Sequence, residues 1–533
     1  LKRAKLLPAA VSLFTGDMFR GSVWFRLLGL DVPTIALQML QFDALTLGEH
    51  EFYRGPLGVE RVLKTLSQKE GAAVVLCNGD FSHESTLAGF PVLKSLVLTR
   101  GNVRVGLIGY VRDDLNETSQ PGPTLGISHD LECVRQQADA MRAQGVDVVI
   151  AFGGGNLTAD RRIAQEVINV SVLVTKYEDE FAYPTTTEPE FHKPVAFNYP
   201  MKVARKDGSQ GYIVASNKFV QFIGMVNVTV DAITRKVVNV HGSPILLDES
   251  IPLDPEMQAL VEGWHSLADP LAAEVVGSSK VFIENDEACS AGQCNGGTMM
   301  ADAIFDYFSD MEVPGAWSKI NAAVVNAAIS RTSFDERVSL GELTLADMYE
   351  MYPYEDEYFL VTMRGEKVYA MMEHSVHFEE HIAEKFLQVS GIRVVYNRQA
   401  PPGRRVRGLL ILCTSCRAPK YERVVRLQWY TIAMPEFMVN GGNGYDFRDV
   451  PRGHKEKTGE RLFISRRDAV GVSATGVTDD IVMKTYIRKK TPLFPAIDDR
   501  IIFMDAAAWP CPDAVLATAL AVLLVSRRKA SPS

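Results

Sequence analysis

At 533 residues the chain is too long for a single hydrophobic core, so two domains with connections are expected. Its 47% hydrophobic and 23% charged content excludes a disordered or fibrous protein. A formal charge of −9 repels polyanions, which sets nucleic acid aside as a partner.

The chain begins at Leu1 with neither Met nor a recognisable signal peptide, so a preceding segment is expected. Polar, glycine-bearing loops follow early: FTGD at 14–17 and LGEHEF at 47–52. Three apolar runs then each read as a buried strand entering such a loop: AAVVLCNGD (72–80), VRVGLIGYV (103–111) and VDVVIAFGGGN (146–156). Between the last two, LECVRQQADAMRAQG (131–145) has helical spacing, with Gly145 as its C-terminal stop. Strands alternating with helices predict a layered α/β domain whose chemistry collects at the loops after strand ends. Four N-x-S/T sequons, at Asn116, Asn156, Asn169 and Asn227, are candidate glycosylation sites.

Near residue 250 the texture changes. IPLDPEMQALVEGW offers Asp254 as N-cap and Pro255 at the first helical position, predicting a helix that bridges two domains. Beyond it, GSSKVFIEND (277–286) and GIRVVYNR (391–398) read as strands. LADMYEMY (345–352) and the segment 365–386 read as helices. Within the latter, His374, His377 and His381 share a face that reads as solvated rather than metal-binding.

Cys289 and Cys294 can close a small loop. Cys413 and Cys416, in CTSC, fit a disulfide or a zinc half-site, and the lack of a second CxxC favours the disulfide. Paired cysteines with sequons lean towards an oxidising, extracellular setting. At the C-terminal end the apolar run 514–525 is too short to span a bilayer, which needs about 20 residues. Small residues at 505–507, a spacer and that run resemble a glycolipid-anchor signal, with a short buried helix or a tail as the alternative.

Four motifs converge on one family: HGSPILLDESIPLDP (241–255), VVNAAISRTSFDER (324–337), FLQVSGIRVVYN (386–397) and NGGNGYDF (440–447). From about residue 10 to 505 the chain resembles the metal-dependent 5'-nucleotidases, especially the animal ecto-5'-nucleotidases and arthropod salivary apyrases. The resemblance implies an N-terminal metallophosphatase-like domain (1–252, its first strand missing), a bridging helix (253–275) and a C-terminal mixed α/β nucleotide-specificity domain (276–505). Residues 506–533 would be the anchor signal or tail. It also implies a divalent metal cofactor, usually two zinc ions about 3.5–4 Å apart that activate water and neutralise the phosphoryl group.

The family's metal ligands map poorly. Its Asp-x-His pair has no counterpart. Its Gly-Asp is Gly16-Asp17, and its Gly-Asn-His-Glu loop is Gly48-Glu49-His50-Glu51. Asp17 and Glu49 would be residual metal ligands and His50 the phosphoryl-transfer residue, with its usual Asp partner replaced by Tyr53. The two later Gly-His imidazoles fall at Gly154 and Tyr177. The nucleotide-gripping residues implied are Asn326, Arg331 and the stacking rings Tyr354 and Tyr445. The box between Asn326 and Arg331 carries Ala327 and Ala328 for glycines, and a further arginine of the family is Ser290. Cys289–Cys294 and Cys413–Cys416 match family disulfides; Cys77, Cys133 and Cys511 stay unassigned.

The expected function is therefore an extracellular family member, catalytically impaired but able to bind adenine-type nucleotides or nucleosides. An active 5'-nucleotidase or apyrase with a remodelled metal site is one alternative. A non-enzymatic interaction protein on the same scaffold is the other. Homodimers occur in relatives and are a further expectation.

Overall fold

The computed structural model describes residues 9–504, apart from 20–22, 68–71, 120, 123, 178–181, 185–194, 218–220, 312, 378–382 and 448–471. Two compact units divide the chain, Leu1–Glu274 and Val275–Ser533. The candidate anchor signal, Cys511 and His381 lie outside the described residues. Among those described, no helix is long and apolar enough to cross a membrane.

Among the described residues, the first unit has three two-stranded pairs and is built on two larger sheets. One is wholly parallel: β1 (Leu13–Phe14), β2 (Ala44–Leu45), β3 (Ala73–Val75) and β4 (Val92–Leu93), in that order. The other has six strands, β5 (Leu96–Arg100), β6 (Val103–Tyr110), β7 (Val148–Gly153), β8 (Val172–Tyr177), β9 (Met201–Ala204) and β10 (Gln210–Asn217). Its order is β9-β10-β8-β7-β6-β5, parallel from β10 to β6 and antiparallel at both edges. The three apolar runs picked out in the sequence are β3, β6 and β7. They lack polar alternation because strands of a parallel sheet are covered on both faces.

Helix α1 (Asp130–Ala143) covers this sheet with Val134, Ala138 and Met141, all buried at helical spacing. Each larger side chain of that stripe contributes about 2 kcal/mol by leaving water. Gly145 ends the helix in the left-handed region, at φ 76°. Helix α2 (Leu157–Glu166) starts from Asn156, whose side-chain oxygen accepts from the Thr158 and Ala159 amides. The expected helix after Asp254 is α3 (Pro255–Ala272), with Asp254 accepting from the Glu256 and Met257 amides at 3.1 Å each. It packs within the first unit, where the Trp24 ring lies 4.4 Å from His265 and 6.3 Å from Trp264.

The second unit is built on a five-stranded sheet: β11 (Ala322–Asn326), β12 (Glu357–Arg364), β13 (Leu387–Ser390), β14 (Trp429–Pro435) and β15 (Val472–Thr478). Their order is β13-β11-β14-β12-β15. A second sheet pairs Ile392–Tyr396 with Val406–Leu412 and Ile501–Phe503. Helices α4 (Asn295–Ser309), α5 (Leu345–Met351), α6 (Gly365–Ser375) and α7 (Asp479–Lys490) complete the unit. The strand expected over 277–286 is shorter. Val275–Ser278 pairs with Glu342–Thr344, and beyond it Ser279 makes an isolated bridge to Leu493 and Ile283 one to Phe334.

Among the described residues there are three disulfides: Cys289–Cys294, Cys413–Cys416 and Cys77–Cys133. CTSC is thus a disulfide and not a zinc half-site. The third pair ties the loop after β3 to α1 across 56 residues, a proximity that only the folded topology creates.

Candidate functional site

In the first unit the polar loops gather at the C-terminal ends of parallel strands, where α/β sheets place their chemistry. The loop after β1 carries Gly16 and Asp17, and the loop after β2 carries Gly48 to Glu51. The two loops touch. A Cβ at Gly16 would sit 2.3 Å from the Gly48 amide nitrogen, and one at Gly48 would sit 1.9 Å from Asp17 Oδ1. Glycine is required at both positions by this approach, and Asp17 itself adopts φ 67°.

Glu51 holds the two loops together. Its buried carboxylate accepts from the amides of Asp17 (2.8 Å), Met18 (2.6 Å), Phe19 (3.3 Å) and Gly48 (2.6 Å). The last residue of Gly-Glu-His-Glu is therefore a structural clasp, a role the motif alone does not reveal.

His50 is 3% exposed. Its backbone amide donates to Asp17 Oδ1 at 3.0 Å, and its Nδ1 lies 3.2 Å from the same oxygen. Tyr53, standing where the family has Asp, packs edge-on against the imidazole at 4.8 Å. Glu49 turns elsewhere. Its Oε2 is 3.4 Å from Arg112 Nη1, and its Oε1 is 3.8 Å from His50 Nε2. The other oxygen of Asp17, Oδ2, meets the Lys176 ammonium at 2.9 Å. Burial alone would raise the Asp17 carboxyl, but Lys176 and His50 beside it hold it well below the usual carboxylate range. Glu49 moves the other way, pushed up by burial and by the Asp17 charge.

The two later positions are also rebuilt. Gly154 follows β7 at φ 68°, and a Cβ there would lie 2.4 Å from Asp160 Oδ1 and 2.6 Å from Tyr110 Oη. Tyr177 ends β8, in register with Asn217. Of the sequons, Asn116 and Asn227 are exposed, and Asn169 donates its amide to Asp139 Oδ1 at 2.8 Å.

In the second unit Arg331 and Tyr445 both reach the short turn Ala383–Lys385, while Tyr354 contacts Arg331 and Asn326 contacts the loop that carries Tyr445. Asn326, at the end of β11, donates to Asn443 Oδ1 at 2.7 Å. The following turn, Ala327–Ile329, has no positive φ at Ala327 or Ala328, so alanine replaces glycine there without strain. Arg331 donates through Nε to Tyr354 Oη at 2.9 Å, and its Nη1 lies 3.7 Å from Glu384 Oε1. The guanidinium carbon is 5.5 Å from the Tyr354 ring centroid. Tyr354 is half-buried, whereas Tyr445 is 2% exposed. The Tyr445 hydroxyl donates to the Lys385 carbonyl at 2.5 Å, and its ring runs parallel to Phe447 at 6.2 Å. His374 meets that ring edge-on at 4.6 Å and reaches the Asn443 carbonyl with Nε2 at 2.8 Å. The solvated helix face expected of His374 is therefore corrected: it braces the NGGNGYDF loop, and burial lowers its pKa. Its helical spacing gave no sign of this, because the partner loop is 69 residues away.

These features define a class: a two-unit α/β protein pairing a metallophosphatase-like layered unit with a C-terminal unit of the nucleotidase type. The C-terminal unit matches the family model "5'-nucleotidase, C-terminal domain" over residues 275–449. A snake venom 5'-nucleotidase of Naja atra is 30% identical over 92% of this chain and 89% of its own length. The 5'-nucleotidase of Homo sapiens is 29% identical, over 94% and 83%. The 5'-nucleotidase precursor of Thermus thermophilus shares the fold, with TM-score 0.73 at 23% identity, over 93% and 90% of the two chains. The chain belongs to the 5'-nucleotidase family.

That relationship suggests a divalent metal cofactor, and the donor set can be tested against it. Among the described residues, no three His, Cys, Asp or Glu ligand atoms of this centre come within 4.8 Å of one another. The single such group is Cys413, Cys416 and Glu422, whose two sulfurs are bonded to each other. Asp17 and Glu49 each face a basic side chain, and the space beside Gly154 is filled. The residues present do not fit a binuclear metal centre.

Proposed function

We propose that this chain is an extracellular 5'-nucleotidase-family protein that binds adenine-type nucleotides or nucleosides and is catalytically impaired. One observation carries the reading. The C-terminal residues are linked through short contacts, Arg331 to Tyr354 and to Glu384, Tyr445 to Lys385 and Asn326 to Asn443, while the N-terminal donors face protein cations. The base is assigned to Tyr354 and Tyr445, with Tyr354 the more accessible ring, and the ribose or phosphate side to Asn326 and Arg331. Zinc, the family's usual metal, would find only Asp17 and Glu49 as residual ligands.

A secreted or surface setting is supported by the three disulfides and by relatives that include snake venom proteins. Glycans at Asn116, Asn156, Asn169 and Asn227, a glycolipid anchor and a homodimer belong to the same reading. Titration calorimetry with adenosine and AMP, run beside a phosphate-release assay on AMP, ADP and ATP, tests it. Binding heat without phosphate release is expected; absence of heat with both ligands overturns it and leaves the non-enzymatic interaction protein.

The second reading, an active 5'-nucleotidase or apyrase, is favoured by one observation. His50 is retained, buried and held by Asp17. Sustained phosphate release would establish it.

A further inference from the structure

Two basic side chains stand on the candidate metal ligands. Lys176, near the end of β8, places its ammonium 2.9 Å from Asp17 Oδ2 and 2.7 Å from the Thr15 carbonyl, so it bridges two oxygens of the loop after β1. Arg112, just after β6, sets Nη1 3.4 Å from Glu49 Oε2. Its plane is fixed by a two-pronged contact with Asp114, at 2.7 Å from Nε and 2.6 Å from Nη2. His50 lies between, with one ring nitrogen towards each carboxylate.

A second, independent set of contacts occupies the place of a lost imidazole. Asp160, wholly buried, accepts from Tyr110 Oη at 2.7 Å, Thr175 Oγ1 at 2.6 Å and the Gly155 amide at 3.3 Å. Any side chain at 154 would collide with this cluster.

We propose that Lys176 and Arg112 are resident protein cations that replace divalent metal ions on Asp17 and Glu49, so that this centre is held by side-chain charge and is metal-independent. This rests on reading the chain as an impaired family member. The physics is that of charge matching. A buried carboxylate needs a counter-charge, and an ammonium tethered by β8 supplies one permanently. A divalent ion arriving at Asp17 would meet that ammonium as a like charge and would leave the half-buried lysine without its carboxylate partner. Restoring a histidine at 154 would not reopen the centre, because Tyr110 and Asp160 hold the space. The loss of the imidazoles is thus accompanied by a rebuilt interior, in which Asp17 keeps a structural use and Glu49 gains one.

The test uses the full chain, with three readouts. Metal content after dialysis against zinc or manganese is expected far below one equivalent, and the Tm is expected to be the same in EDTA as in either metal. One or more tightly held equivalents, with a Tm that EDTA lowers, would overturn the proposal. Lys176→Met is expected to lower Tm by roughly 5–10 °C in EDTA and to regain part of it with manganese or zinc. A Lys176→Met protein as stable as the parent without metal would also overturn it. Should that variant not fold, Lys176→Arg keeps the charge and is expected to match the parent; a metal-dependent Tm in the arginine variant counts against the idea. Nucleoside calorimetry reads the C-terminal unit separately, so failure here leaves the ligand-binding proposal standing or falling on its own data.

Discussion

The two units treat their motif residues in opposite ways. In the C-terminal unit Arg331 contacts Tyr354, Asn326 contacts the loop that carries Tyr445, and the substituted loop at 327–328 accepts alanine without backbone strain. In the N-terminal unit the motif residues are engaged by the protein itself: Asp17 holds a lysine, Glu49 an arginine, and Glu51 four backbone amides. A motif is therefore a poor guide to chemistry once its letters have acquired structural uses. Gly-Glu-His-Glu is explained here by geometry: the glycine allows the loops to touch, and the last glutamate locks them.

The sharpest way to break this contrast is at Glu51. Removing its carboxylate leaves buried amides of two loops without an acceptor. Glu51→Ala is expected to cost about 4 kcal/mol in urea unfolding, with Glu51→Gln costing less because one oxygen remains. A near-neutral Glu51→Ala would mean the clasp is not structural, and the loop's retention would need a catalytic explanation again.

Much of this centre could be read from the sequence, and the limits are physical. The strand-loop pattern places FTGD and LGEHEF at strand ends, because apolar runs and glycine turns are local signals. Asp17, Glu49, His50 and the absence of imidazoles at 154 and 177 are read only from the resemblance to the family's motifs. Lys176, Arg112, Tyr110 and Asp160 carry no motif, and their roles arise from side chains converging across β6, β7 and β8. The one available signal was a lysine beside the vacated position at 177. Cys77–Cys133 and the bracing role of His374 were illegible on the same ground, since each joins segments more than 50 residues apart.

The C-terminal unit offers a contrast of its own between two tyrosines. Tyr354→Ala removes a half-buried ring and is expected to weaken adenosine binding by roughly 1–3 kcal/mol with little loss of Tm. Tyr445 is too buried for that experiment, since deleting its ring would cost roughly 3–5 kcal/mol of stability and confuse the two effects. Tyr445→Phe is the cleaner change. It removes only the donor to the Lys385 carbonyl and is expected to cost about 1–2 kcal/mol in stability while leaving base stacking in place. Calorimetry and thermal unfolding on both variants would separate recognition from support. Equal binding by the parent and Tyr354→Ala would remove the stacking role.

A further expected effect concerns pH and sets Asp17 beside another carboxylate of the same unit. Asp130, at the start of α1, is pushed up to about 6 by burial and by the charge of Asp113. Its native state therefore holds a proton that the unfolded chain, titrating near 3.8, has already released. Between those values stability falls as pH rises, and above about 6 the full cost of the charged carboxylate is present. Asp17 has the opposite sign. Held down by Lys176 and His50, it contributes stability above the unfolded carboxylate pKa and loses it only as pH falls below that value towards its own. Asp130→Asn should then be more stable than the parent at about pH 7, with the gap closing near pH 4, in urea midpoints measured at both pH values. A gap of the same size at both would assign the slope to other buried carboxylates, of which Glu49, raised by burial and by Asp17, is the first to examine.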